Sequence, residues 1–254
     1  MIPKDDEGMV KYVSNTLLLN LKIKALSDLH LGSGRADVNI DADTAYNDIG
    51  MPYFPAKRLK GLLYESAAEV YEMALRPIEL QMQNDPRPEL GPKEIKEYYK
   101  KLPFGFFDDL SSLFGHNISH SAKEQNKQMI IHNLYLQEYA GNQKAWEYLA
   151  GKYPSLLSQQ AVIDEYTYIR YQTKIDEETG VAEDHSLHNL RVVKAGCTFV
   201  GNIEIINATE KDKLILAAAC ANLHYAGGKR NRGLGKIKCS FDGMEKIIEA
   251  GFGR

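Results

Sequence analysis

The chain has 254 residues, 44% hydrophobic and 26% charged, enough for one large domain or two small ones and ordinary for a soluble globular protein. A formal net charge of -3 excludes a global positive field, so any grip on a polyanion must be local. Cys197, Cys220 and Cys239 form no CxxC pair, the start from Met1 to Glu7 is acidic rather than apolar, and no apolar run reaches bilayer length. These features argue against a disulfide scaffold, a zinc ribbon, a signal peptide and a membrane span, and for a reducing cytoplasm.

In chain order, Leu17, Leu19, Leu21, Ile23 and Ala25 alternate with Leu18, Asn20, Lys22 and Lys24, the period of a half-buried first strand. Glycines at 32 and 34 end it, and an irregular acidic stretch follows through Asp37, Asp41, Asp43 and Asp48. Pro52 and Pro55 precede a helix whose apolar face is Leu59, Leu62, Leu63, Ala67, Val70, Tyr71 and Ala74. From Arg76 to Pro103 the composition turns to Pro, Gln, Lys and Glu, which predicts a largely surface insertion over about 76–128. Strand signals resume at Ile130, Ile131, Leu134 and Leu136, Trp146 marks a short helix, and Val162 to Tyr171 alternates again. A turn at Asp176 to Gly180 makes this last segment one arm of a mid-chain hairpin, about 162–192. A strand from Cys197 to Ile206, a capping box at Thr209 and Asp212, a helix through Leu223 and a final strand at Ile237, Cys239 and Phe241 complete the chain. Strand–loop–helix at one end and strand–helix–loop–strand at the other predict one α+β domain over 1–254, a ferredoxin-like or RRM-like sheet with large insertions.

Two elements concentrate positive charge. Gly227-Gly228-Lys229-Arg230-Asn231-Arg232-Gly233-Leu234-Gly235-Lys236 joins glycines to cations with no acid between them, and Lys238 follows. Glycines let backbone approach another molecule, and successive N–H groups in such a turn form an anion cradle. A helix precedes this loop and a strand follows it, the reverse of a dinucleotide fingerprint, and no Gly-Lys-Ser/Thr opens a helix. The second element is the helix start, where Lys57, Arg58 and Lys60 add to the positive end of the helix dipole and call for an anion.

His30-Leu31-Gly32-Ser33-Gly34, then Pro52-Tyr53-Phe54-Pro55 with Leu59-Lys60-Gly61, then Leu113-Phe114-Gly115, and finally the 227–235 loop occur in an order that resembles the RAMP superfamily of CRISPR effector complexes. The series is most similar to the backbone subunit of type III complexes. The resemblance implies an RRM-like subunit that stacks with copies of itself or RAMP paralogues, and with other effector subunits, along a guide RNA facing a target RNA. Backbone contacts would give affinity and base pairing specificity. It assigns RNA binding to His30, Gly32, Ser33, Lys57, Arg58, Lys60, Arg170, Gly228, Lys229, Arg230, Asn231, Arg232 and Lys236, with the mid-chain hairpin wedged between bases. It also places target-RNA cleavage at an aspartate of the acidic loop, Asp41 or Asp43, holding Mg²⁺ or another divalent ion or orienting a ribose 2′-hydroxyl. Two alternatives stay open: a structural RAMP subunit without chemistry, for which the acidic loop is only solvated, and an RNA-processing endoribonuclease using His30. The pairs His116/His120 and His185/His188 have metal-compatible spacing but lack an acidic partner pattern, which favours surface roles.

Overall fold

The computed structural model describes residues 11–13, 16–34, 40–83, 107–115, 127–154, 157–173, 181 and 186–252. In chain order the elements are β1 (Lys11–Val13), β2 (Thr16–Ala25), β3 (Tyr53–Phe54), α1 (Ala56–Gln83), α2 (Phe107–Phe114), β4 (Gln128–Ile131), β5 (Leu134–Leu136), α3 (Tyr139–Lys152), α4 (Gln159–Tyr166), β6 (Thr167–Gln172), β7 (His188–Val193), β8 (Thr198–Ile206), α5 (Glu210–Asn222), β9 (Ile237–Phe241) and α6 (Met244–Phe252). The alternation read in the first strand is real: Leu17, Leu19, Leu21, Ile23 and Ala25 are buried, while Asn20, Lys22 and Lys24 face outward.

β2 lies between β9 and β8, and the far edge of β8 carries β4 and β5, every pair antiparallel. The spatial order β9–β2–β8–β4/β5, with α1 after β2 and α5 between β8 and β9, is two interlocked split β-α-β units, the ferredoxin-like arrangement. β4 and β5 are in effect one strand broken at His132–Asn133. Opposite the break sits Gly201, where a Cβ would come within 2.6 Å of the Leu134 side chain. The break releases Asn133, whose Oδ1 accepts the Ala56 N–H at 2.8 Å and so caps the start of α1.

The core lies on one face of the sheet. Leu59, Leu62, Leu63 and Ala67 of α1 pack there with Phe54, Phe199, Ile203 and Ile205. α5 is buried from Asp212 to Cys220, enclosed by the sheet, α1 and α6, and therefore carries no polar stripe. Its buried Asp212 is satisfied by the capping box with Thr209 and by Lys127, whose Nζ lies 3.0 Å away. Cys220 is a core residue: its hydrogen bond with Cys239, and then burial, push its thiol well above the usual range. Among the described residues no helix is long and apolar enough to cross a membrane.

Local expectations fail in two places. Within the span predicted as surface insertion, α1 runs on past Pro77 to Gln83, and α2 buries Leu110, Leu113 and Phe114 in the core. Phe114 meets Tyr64 edge-on at 5.6 Å. The alternation at Val162 to Tyr166 belongs not to a strand but to α4, because Ser158 accepts the Ala161 N–H and opens a helix. β6 and β7 pair antiparallel as a separate two-stranded sheet, and the turn predicted between them at Asp176 to Gly180 lies outside the described residues.

Candidate nucleic-acid interface

Every basic element meets at residues 28–32, just past the end of β2. Leu29 pairs with Val193 through both backbone groups, at 2.9 and 2.8 Å, fixing β7 beside it. The Asp28 carboxylate receives the Tyr168 hydroxyl at 2.5 Å and the Ala195 N–H at 3.0 Å. That charge-assisted bond, with some burial, raises the Tyr168 phenol above its ordinary value. The His30 carbonyl accepts the Gly228 N–H at 3.0 Å, and the Gly32 carbonyl accepts Nη2 of Arg58 at 3.0 Å. His30 is buried, and its Nδ1 bonds the Arg191 carbonyl at 2.9 Å. Because a carbonyl can only accept, Nδ1 donates in this bond.

The glycine loop docks on this segment. A Cβ at Gly227 would stand 2.4 Å from the His30 carbonyl oxygen, and one at Gly235 would stand 2.2 Å from that of Ala226; both residues have positive φ, 80° and 82°. Their use is therefore close backbone packing. The Gly228 and Gly235 N–H groups bond the His30 and Asp28 carbonyls rather than forming an open anion cradle, which revises the backbone-nest expectation. The charge sits on side chains instead: Lys229, Arg230, Arg232 and Lys236 are all exposed, as is the neutral Asn231 between them. Lys229 holds the left-handed conformation, φ 58°, without being glycine, a strain typical of functional loops. Arg232 Nη1 reaches Gln172 Oε1 at 3.0 Å, tying the loop to the hairpin strand that also carries Arg170. Lys57 is exposed at the start of α1, Arg58 and Lys60 are half-buried, and Lys60 Nζ lies beside Gly115. Among the predicted binding residues, then, Lys57, Lys229, Arg230, Arg232 and Lys236 offer exposed charge, whereas His30, Gly32 and in part Arg58 hold the frame. Ser33 bonds the Asp43 carbonyl through its N–H at 2.8 Å and its hydroxyl at 3.3 Å.

The acidic loop separates its two candidates. Asp43 is buried: its Oδ1 accepts Arg191 Nε at 3.1 Å and the Thr44 N–H at 2.8 Å. Arg191, equally buried, also donates to Asp164 and Thr167, so it joins the acidic loop, α4 and β6. Asp41 is exposed. Its N–H and Oδ2 exchange bonds with Asn189 at 2.8 and 2.9 Å, and His188 Nδ1 lies 3.6 Å from the same oxygen. Asp37 lies outside the described residues. The Asp43 carboxylate is committed to Arg191, and no group of three His, Cys, Asp or Glu converges among the described residues.

Three features escaped sequence reasoning. Arg191 is a lone cation among Leu190, Val192 and Val193, a pattern that signals a buried ion pair. Asn47 organises its own turn, its Oδ1 accepting the N–H groups of Ile49, Gly50 and Met51. A groove of about 790 Å³ runs past Gly32, Lys57 and Arg58 to Tyr53, Tyr135 and Tyr139.

The profile of the RAMP superfamily matches residues 22–238. No curated protein matches the chain. Among solved structures, the chain is similar to a chain of the type III-B Cmr-beta complex bound to cognate target RNA, with TM-score 0.48, 17% identity and coverage of 91% of this chain and 98% of that one. It is similar also to a chain of Cmr-beta in the apo state, with TM-score 0.47, 16% identity and the same coverage.

Proposed function

Because the chain belongs to the RAMP superfamily, we propose that it is a guide-RNA-binding subunit of a type III CRISPR effector complex, held there with other subunits and further RAMP copies. The observation that carries this reading is the docking of the glycine loop on residues 28–32, which sets Arg232 against Gln172 of the β6–β7 hairpin and leaves Lys229 and Arg230 exposed on the same turn. Cations on a rigid turn hold a phosphate backbone without reading its sequence. Replacing Lys229, Arg230 and Arg232 together by alanine removes three contacts of the kind that each contribute about 0.7 to the log–log salt slope on a single strand. The slope falls by about 2, so a roughly fourfold rise in salt costs the variant about 20-fold less affinity than the parent. Unchanged affinity and slope refute the assignment.

Target-RNA cleavage belongs to the same reading, with Asp41 as the acting acid and Asp43 as a structural one. Asp41 is the exposed carboxylate of the two, and Asn189 fixes its orientation. A carboxylate there serves by orienting a 2′-hydroxyl and taking its proton as the 2′-oxygen attacks the adjacent phosphorus; the P–O5′ bond breaks and the 5′-oxygen takes a proton from water, which leaves a 2′,3′-cyclic phosphate and a 5′-hydroxyl. Asp41→Ala in the assembled complex abolishes cleavage and keeps RNA binding. Products ending in a 3′-hydroxyl, or full cleavage by the variant, overturn this role.

A further inference from the structure

We propose that the β3–β5 edge of the sheet carries a stacking platform for an unpaired nucleobase of single-stranded RNA, separate from the glycine-loop grip. It rests on the reading of the chain as an RNA-binding subunit. Antiparallel register sets Tyr53 opposite Tyr135. Their strand neighbours Phe54, Leu134 and Leu136 are buried in the core, so alternation turns both tyrosines to the face opposite the one packed on α1 and α5. The same row across that face continues to Val200 and Lys22. The two rings stand 6.1 Å apart at 39°, and Tyr139, the first residue of α3, adds a third ring 4.5 Å from Tyr135 at 40°. All three rings are half-buried and line the groove that Lys57 and Arg58 also line.

The platform is held in place before any ligand arrives. Asn47 Nδ2 donates to the Tyr139 hydroxyl at 2.8 Å, and the turn Asn47 organises is pinned at Gly50, where a Cβ would lie 2.5 Å from the Gln159 carbonyl oxygen. Gly50 also has φ 104°, so this turn cannot relax by side-chain substitution. Rigid aromatic surface loses little entropy on binding, and every nucleobase offers a π-face. The groove volume falls within the range of small-ligand sites. Lys57, exposed at its rim, supplies charge for the attached phosphate, whereas exposed Asp48 in the same lining repels a phosphate from its side. Aromatic side chains on the open face of an RRM-like sheet use the same physics to stack bases.

The test titrates the full chain with single-stranded RNA carrying aminopurine, whose fluorescence falls on stacking. The parent and Tyr135→Phe quench equally, since the ring and not the hydroxyl acts, while Tyr135→Leu loses the quench and binds about tenfold more weakly. RNA bound by Tyr135→Leu with parental affinity and quench overturns the platform and leaves the glycine-loop grip standing. A parent chain that binds no RNA overturns both. Photo-crosslinking of the parent chain to iodouridine RNA needs no variant to fold: adducts at Tyr53, Tyr135 or Tyr139 support the platform, and adducts confined to the glycine loop and hairpin overturn it.

Discussion

Arg191 is the residue on which the interface turns, and its replacement by alanine should be the costliest single change in that region. The substitution leaves the Asp43 carboxylate, whose side chain is only 6% exposed, without its cation. Removing one partner of a buried pair costs about 3–5 kcal/mol, because the survivor stays desolvated and uncompensated. The second acid on Arg191 adds little: Asp164 is 57% exposed and water screens it, so Asp164→Ala costs under about 1 kcal/mol. At roughly 2–4 °C per kcal/mol for a chain of this size, Arg191→Ala lowers Tm by about 10 °C. Arg191→Met keeps most of the stem volume and isolates the charge from the cavity. The decisive comparison is the double variant Arg191→Ala with Asp43→Asn: asparagine still accepts the Thr44 N–H but carries no charge, so the double variant is more stable than Arg191→Ala alone. Urea and thermal unfolding followed by circular dichroism read the parent and the four variants. A cost below about 1 kcal/mol for Arg191→Ala, or no recovery in the double variant, refutes the buried-pair reasoning.

Gly227→Ala forces a Cβ to 2.4 Å from the His30 carbonyl oxygen at φ 80°, and should cost more than about 2 kcal/mol and weaken RNA binding; Gly34→Ala, at φ 74° in open space, carries strain alone, about 1 kcal/mol. Thermal shift and RNA titration compare the two, and equal losses show that loop docking does not govern the grip. The Tyr168–Asp28 bond needs a protonated phenol with a raised folded-state pKa, so its stabilisation is fully present below the ordinary value of 10.0 and fades as pH rises through the folded value. Stability above pH 10 should therefore fall further in the parent than in Tyr168→Phe, and parallel pH profiles in unfolding experiments contradict this.

β2 and α1 were legible because one face of each is buried, and α5, buried on every side, was legible by the capping box before it. The site was legible only as charge. Lys229 to Lys236 announced a cationic loop, but the use of its glycines in packing depends on His30, nearly two hundred positions earlier in the chain, and no local pattern contains that contact. Asp41 and Asp43 read alike in sequence, since what distinguishes them is the distant Arg191 and Asn189. The helix α4 was misread because Val162 and Ile163 are apolar and bounded by polar residues, a pattern that suits either period over so short a run. Tyr53 and Tyr135 lie far apart in the chain, and only strand pairing makes them neighbours.

The hub at residues 27–32 also constrains when the protein can work. Ser27 bonds Lys236 across 209 positions and His30 bonds Arg191 across 161. Contacts of such separation close late, after the entropy of a long loop has been spent. During synthesis the first glycine pair, the hairpin and the basic helix start all emerge before the 227–235 loop that locks them. A nascent chain therefore has Lys57, Arg58 and Arg170 but neither the loop cations nor the surface that fixes them, and RNA is gripped only once β9 has closed against β2.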